Sequence, residues 1–275
     1  MARDVYSRLD EIDEASLRTI ADVLELRGRH PQQVAIREAY LHELGDLRGK
    51  RILDVGRGTG VVTRDLAPRV GRAGEVIGVD PTAVFIEIAE QLREEHALGS
   101  ARFAVQDGRS LPFPDASFDV VTAVTVLCHV PDRDAVLREI VRVAKSGGTI
   151  LIVDGEFTAN QLEHPDDELT RRIVAAWRAA TVDDPRLMRR LGAFLGQAGL
   201  KADRVKGHVH VETGRVDEAA SFIWAWAMFA VRQALGVAAI SEDEAARWTA
   251  QLRELNERGE TYGAVTFVSA VVRRP

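Results

Sequence analysis

The chain has 275 residues, 46% of them hydrophobic and 28% charged, the composition of an ordinary globular protein with a sizeable core. Its net charge of −6, with arginines interleaved among Asp and Glu, argues against a nucleic-acid or anionic-membrane surface, since either calls for a basic patch. A single cysteine, Cys128, leaves no intrachain disulfide and no cysteine-based zinc site, and the apolar run around it suggests a buried, inert thiol.

The first stretch, "MARDVYSRLDEIDEASL", is charged and has no apolar core, so no secretory signal is expected there. Residues 1–48 read as helical: "SLRTIADVLELRG" and "PQQVAIREAYLHELG" carry apolar residues at three-to-four spacing and each ends on glycine. From Lys50 onward short β-branched runs alternate with helical stretches. The order is "RILDVG" (strand), "VVTRDLAPRV" (helix), "EVIGVD" (strand), "TAVFIEIAEQLREEHA" (helix), "ARFAVQ" and "FDVVTAVTVL" (strands), "RDAVLREIVRVAK" (helix) and "GTILIVDGEF" (strand). Such alternation, with strands apolar on both faces, implies an α/β fold with a parallel sheet covered by helices on both sides. Helices "ELTRRIVAAWRAAT" and "PRLMRRLGAFLGQAG" follow, then the strand "LKADRVKGHVHVET", a helical insertion over 217–260, and a final strand "YGAVTFVSAVVRR". The last two strands are expected to pair as a hairpin at the sheet edge. The longest apolar run, Phe222 to Val231, is too short to span a bilayer, so a cytoplasmic location is expected.

The stretch "LDVGRGTG", Leu53 to Gly60, joins a strand to a helix N-terminus through Gly56, Gly58 and Gly60, which suits a ligand that the backbone must approach closely. A dinucleotide fingerprint G-x-G-x-x-G would need glycine at position 61, where the chain has Val61. Asp54 stands two positions before the first glycine, suited to the ammonium of an amino-acid group and poorly suited to a pyrophosphate.

These residues resemble the class I S-adenosylmethionine-dependent methyltransferases, and within them the small-molecule branch of ubiquinone and menaquinone biosynthesis. The resemblance covers about Arg51 to Phe157 and rests on four signals in order: "LDVGRGTG", Asp80 ending "VIGVD", "QDGRSLPFPDASFDVV" and "VLREIVRVAKSGGTILIVD". It implies a Rossmann-like, seven-stranded, mostly parallel sheet of order 3-2-1-4-5-7-6 with its last strand antiparallel. It also implies a helical lid over 1–48, a methyltransferase domain over 49–275, and a cap formed by the 217–260 insertion. The implied cofactor is S-adenosylmethionine, leaving as S-adenosylhomocysteine, held by Asp54, Gly56, Arg57, Gly58, Gly60, Asp80, Pro81, Gln106, Asp107, Gly108 and Thr125. In this set Asp80 grips the ribose hydroxyls, Asp107 accepts from the adenine amino group, and Gly108 leaves room for the ring. Arg57 departs from the small residue the family commonly has there: it is expected to pair with the methionine carboxylate, to turn out to solvent, or to obstruct the site. Ser146 replaces a common proline in a loop.

The acceptor is expected beyond the C-terminal ends of the first, fourth and fifth strands. That singles out "LCHVPD" and His129, as a general base or as a packing residue beneath the cofactor. Tyr6, Asp154, Glu156, Trp224 and Met228 are the expected acceptor contacts, with Phe222, Trp226 and Phe229 nearby, and Tyr6 and Arg27 resemble parts of the lid such enzymes close over the cofactor. Capping of the following segment would explain Asp154 and Glu156, and core packing or a dimer interface would explain the aromatic helix equally well. In "HVHVE", His208, His210 and Glu212 share one strand face, a spacing open to a metal, but a solvated edge-strand face is the preferred reading and no metal is expected. The reading is a methyltransferase for a hydrophobic acceptor of the aromatic or polyketide kind found in secondary metabolism, with oxygen first, then carbon, then nitrogen as target atom. It would act as a monomer or homodimer with no nucleic-acid or membrane partner. The alternatives are a methyltransferase-like protein that cyclises a natural product, a nicotinamide oxidoreductase, disfavoured by Val61 and Asp107–Gly108, and a non-catalytic binding module.

Overall fold

The computed structural model describes Leu9 and residues 11–275. Two helices come first. α1 (Glu14–Arg29) is capped by Asp13, whose carboxylate accepts from the Ser16 amide; α2 (Pro31–His42) starts on a proline that needs no amide partner in the first turn. The alternating region then runs β1 (Arg51–Val55), α3 (Val61–Val70), β2 (Glu75–Asp80), α4 (Ala83–Glu95), β3 (Ala101–Val105), β4 (Phe118–Val124), α5 (Arg133–Val143) and β5 (Ala144–Gly155). A two-residue β6 (Gln161–Leu162), α6 (Asp167–Thr181), α7 (Leu191–Gln197), β7 (Ala202–Gly214), α8 (Phe222–Gly236), α9 (Glu242–Arg258) and β8 (Thr261–Arg273) complete it. The expected helix "PRLMRRLGAFLGQAG" divides into a 3₁₀ turn over Leu187–Arg190 and α7.

The sheet order is β3-β2-β1-β4-β5-β8, with β7 paired antiparallel along β8 and β6 paired to the start of β8 beyond the end of β5. The fold is therefore the expected Rossmann-like one, the last two expected strands being β7 and β8, with β6 as an additional eighth strand. Burial on both faces explains the continuous apolar strands. Leu53, Val55, Val121 and Ile152 point into one core with α5 and α6, whereas Ile52, Val120 and Leu151 point into another with α2 and α3. The crossover point between β1 and β4, where the strand order reverses, opens the crevice in which ligands of such sheets bind. The region between β7 and β8 folds as α8 and α9; α8 packs chiefly on α6, and Ser241 and Glu244 close a capping box at the start of α9.

Candidate cofactor and acceptor site

A cavity of about 360 Å³ opens at that crevice, walled by the β1–α3 loop, the ends of β2 and β4, α1, α2 and α8. The loop owes its shape to Gly56, Gly58 and Gly60, at φ +63°, +55° and +87°, a region that L-residues with a Cβ enter only at a cost. The amides of Gly56 and Arg57 both donate to the Val79 carbonyl, which ties the loop to β2. Asp80, at the end of β2, accepts from Gly58 N (2.8 Å) on one carboxylate oxygen and from Thr82 N (3.0 Å) on the other. Each oxygen keeps acceptor capacity beyond that bond, as a diol would require. Burial pushes the Asp80 pKa up, while those two amides and Arg57 oppose it.

Gly56, Arg57, Gly58, Asp80, Pro81 and, at the far side, Asp107, Gly108 and Thr125 all border the cavity, as does His129. Thr125 holds φ +54°, a strained setting for a β-branched residue, and its amide bonds the Val153 carbonyl at 2.6 Å. Asp107 is clasped by the Arg109 guanidinium, which holds its carboxyl below the usual range.

Other expected residues lie elsewhere. Asp54 is 1% exposed and does not border the cavity; its two oxygens accept from Thr63 Oγ1 and Thr122 Oγ1, both at 2.7 Å, and burial pushes its pKa up. It braces the loop from within, where the expected direct contact with an ammonium group would have to be made from outside the cavity lining. Gly60 caps α3 with Phe103 at its back, and Gln106 bonds Asp80 through its backbone amide; neither borders the cavity. Arg57 borders the cavity but does not reach out to solvent. Its guanidinium lies 3.9 Å from the Phe103 ring centre, and Nη1 donates to the Gly58 carbonyl. Burial pulls its pKa down to about 10 against the attraction of Asp80 and Asp54. Gly78, in mid-β2, makes this possible: a Cβ there would stand 2.1 Å from Arg57 Cδ. A glycine inside an otherwise apolar strand was the available signal.

Among the expected acceptor contacts, Tyr6 lies outside the described residues. Asp154 and Glu156 are buried away from the cavity, Glu156 accepting from Thr158 and paired with Arg189 at 3.0 Å. Trp224 and Met228 face away as well. The cavity face of α8 is Phe222, Ala225, Trp226 and Phe229, spaced three and four apart as one side of a helix must be. Phe157 and Trp177 meet it from across the chamber, Trp177 edge-on to Trp226 at 5.4 Å. Arg27 caps this wall, stacked 4.7 Å over Phe267. His129 Nδ1 stands 2.9 Å from the Thr181 carbonyl, which can only accept, so that nitrogen donates.

The preferred reading of "HVHVE" is overturned. α2 covers that face of β7: His210 is fully buried, Glu212 is 7% exposed, and His208 bonds Ser269 Oγ at 2.8 Å.

Residues 53–152 match the family described as "Methyltransferase domain". The chain is 38% identical over 111 residues to the ubiquinone/menaquinone biosynthesis C-methyltransferase UbiE of Idiomarina loihiensis, covering 40% of this chain and 44% of that protein. It thus spans less than half the length of that curated relative. Among solved structures it is similar to the YcgJ protein of Bacillus subtilis (TM-score 0.60, 20% identity, 88% of this chain and 99% of that one). It is also similar to the [4+2]-cyclase SpnF (TM-score 0.57, 22% identity, 88% and 81%). At these identities the structural likenesses speak to fold alone. Over residues 53–152 the chain is thus similar to a methyltransferase domain, and over about the same stretch to that of the quinone-pathway enzymes.

Proposed function

We propose that the protein transfers the methyl group of S-adenosylmethionine to a hydrophobic, ring-bearing small molecule. The observation that carries this is the continuity of one cavity, from the Asp80 and glycine-loop end to a chamber walled by Phe157, Trp177, Trp226 and Phe229. The donor end fits the cofactor: three positive-φ glycines let the backbone approach, and an anchored acid with spare acceptor capacity stands at the end of β2. Asp80 and the loop amides would hold the nucleoside, and the Asp107–Gly108 turn would border its base. S-adenosylmethionine supplies a methyl already activated on a sulfonium, so the chain's own task is positioning and exclusion of water.

The aromatic walls orient a flat acceptor and desolvate it. His129, its Nδ1 donating to Thr181, is the candidate to take a proton from an acceptor hydroxyl or acidic carbon. Oxygen is the first target atom, carbon the second and nitrogen the third; the resemblance to a C-methyltransferase raises carbon's standing. The N-terminal helices act as a lid and α8 as a cap. The test is incubation of purified protein with S-adenosylmethionine and a panel of phenols, hydroquinones and polyketides, read by mass spectrometry. A product 14 Da heavier with equimolar S-adenosylhomocysteine is expected, the mass being about that of one methylene. Conversion of an acceptor with no S-adenosylhomocysteine formed would instead favour the cyclase reading.

A further inference from the structure

The strand sequence "HVHVE" is not absorbed by the methyl-transfer site, since none of its side chains borders the cavity. Its inward face nevertheless gathers chemistry from distant parts of the chain. His30, at the corner between α1 and α2, brings Nε2 to 3.5 Å from Glu212 Oε1, and His210 Nε2 stands 2.7 Å from the same oxygen. The two imidazole rings meet edge-on with centres 4.6 Å apart. All three donor atoms lie within 4.8 Å of one another.

We propose that His30, His210 and Glu212 form a binding site for a divalent ion of zinc's class, which clamps the α1–α2 corner to β7 and the start of α8. Two imidazoles and one carboxylate are a donor set that zinc accepts, with the fourth position left to water. Donors bound tetrahedrally to one zinc ion at about 2.1 Å stand about 3.4 Å apart, so the cluster, whose donor atoms lie within 4.8 Å of one another, needs to close by up to about 1.4 Å. His30 can supply that movement, because it sits half-buried on a corner rather than inside an element. The surroundings already hold the ligands in place. Glu212 Oε1 also accepts from Phe222 N (2.9 Å) and Ile223 N (3.1 Å), and the Gln32 side chain pairs in both directions with the backbone of Val211.

Protons balance simply. The ion takes the Nε2 lone pair of each neutral imidazole, whose proton then resides on Nδ1, and Glu212 binds as the carboxylate. His210 Nε2 therefore gives up its donation to Glu212 Oε1 as its proton moves to the unpartnered Nδ1, and His30 Nδ1 gives up the 3.3 Å bond it accepts from the Gln32 amide. The partial exposure of His30 provides the entry path.

The experiment uses the full chain, stripped with EDTA and dialysed, then titrated with zinc chloride by calorimetry, with cobalt(II) absorption measured in parallel. One zinc per chain, visible ligand-field bands and a raised Tm are expected. His30→Ala should weaken zinc affinity at least about 100-fold while leaving the far-UV spectrum unchanged. Glu212→Gln should do the same if it folds, and His208→Ala, on the same strand but bonded to Ser269, should not. The absence of saturable zinc binding would overturn the proposal. So would zinc that binds the wild type and His30→Ala equally well.

Discussion

Asp154 ends β5 with a fully buried carboxyl beside Cys128 and His129. Burial pushes its pKa up to about 6 from the ordinary 3.8, against the opposing pull of Cys128 and His129. Between those two values the folded chain holds a proton that the unfolded chain has released. This group's favourable contribution is therefore complete below about pH 3.8 and is lost as pH rises through about 6. At 1.36 kcal/mol per pH unit of displacement the whole loss is about 3 kcal/mol, of which about 1.4 kcal/mol falls between pH 5 and pH 8. Asp154→Asn keeps the shape without the charge, so its stability relative to wild type should improve by about 1.4 kcal/mol on going from pH 5 to pH 8. Urea unfolding of both proteins at the two pH values measures this. A difference that does not change with pH, or one that favours the variant more at pH 5, would refute the reasoning.

The same geometry makes three other predictions. Gly78→Ala places a Cβ 2.1 Å from Arg57 Cδ and should cost about 1–3 kcal/mol in urea unfolding, with weaker S-adenosylmethionine binding as Arg57 is displaced toward the loop. Phe229→Ala removes a cavity-facing ring worth about 1.5–3 kcal/mol of contact, so KM for a hydrophobic acceptor should rise about 10- to 150-fold while the Kd for S-adenosylmethionine stays within twofold. His129→Gln should lower kcat for a hydroxyl acceptor by about 100-fold or more with cofactor affinity retained, and an unchanged kcat would remove the base role.

Much of the fold is legible because its determinants are local. Strand and helix periodicities alternate, and β-branched runs without a polar face can only be central strands of a covered sheet. The cofactor end is legible for the same reason: a loop that needs positive φ at three positions advertises them as glycines, and Asp80 follows at the end of the next strand. The rest depends on contacts between distant segments. Asp54 reads as a ligand contact in the sequence, where nothing marks that Thr122, 68 residues away, and Thr63 take up its carboxylate. Arg57 turns inward because Gly78 and Phe103, on two other strands, make room for a guanidinium. The α8 sequence is apolar nearly all round, so periodicity could not choose between the face with Trp224 and Met228 and the one with Trp226 and Phe229; packing against α6 decided it. The inward face of β7 was hidden likewise, since the docking of α2 on it leaves no mark in "HVHVE" itself.

The central claim is that the glycine loop and Asp80 hold S-adenosylmethionine. Calorimetric titration of wild type and Asp80→Ala with S-adenosylmethionine, S-adenosylhomocysteine and NADH tests it most directly. The account predicts one site per chain for the first two ligands, at least about 10-fold weaker in Asp80→Ala where charge-assisted hydrogen bonds worth about 1.5–3 kcal/mol are lost, and no NADH binding. Binding of NADH without S-adenosylmethionine, or equal cofactor affinity in the two proteins, would contradict it.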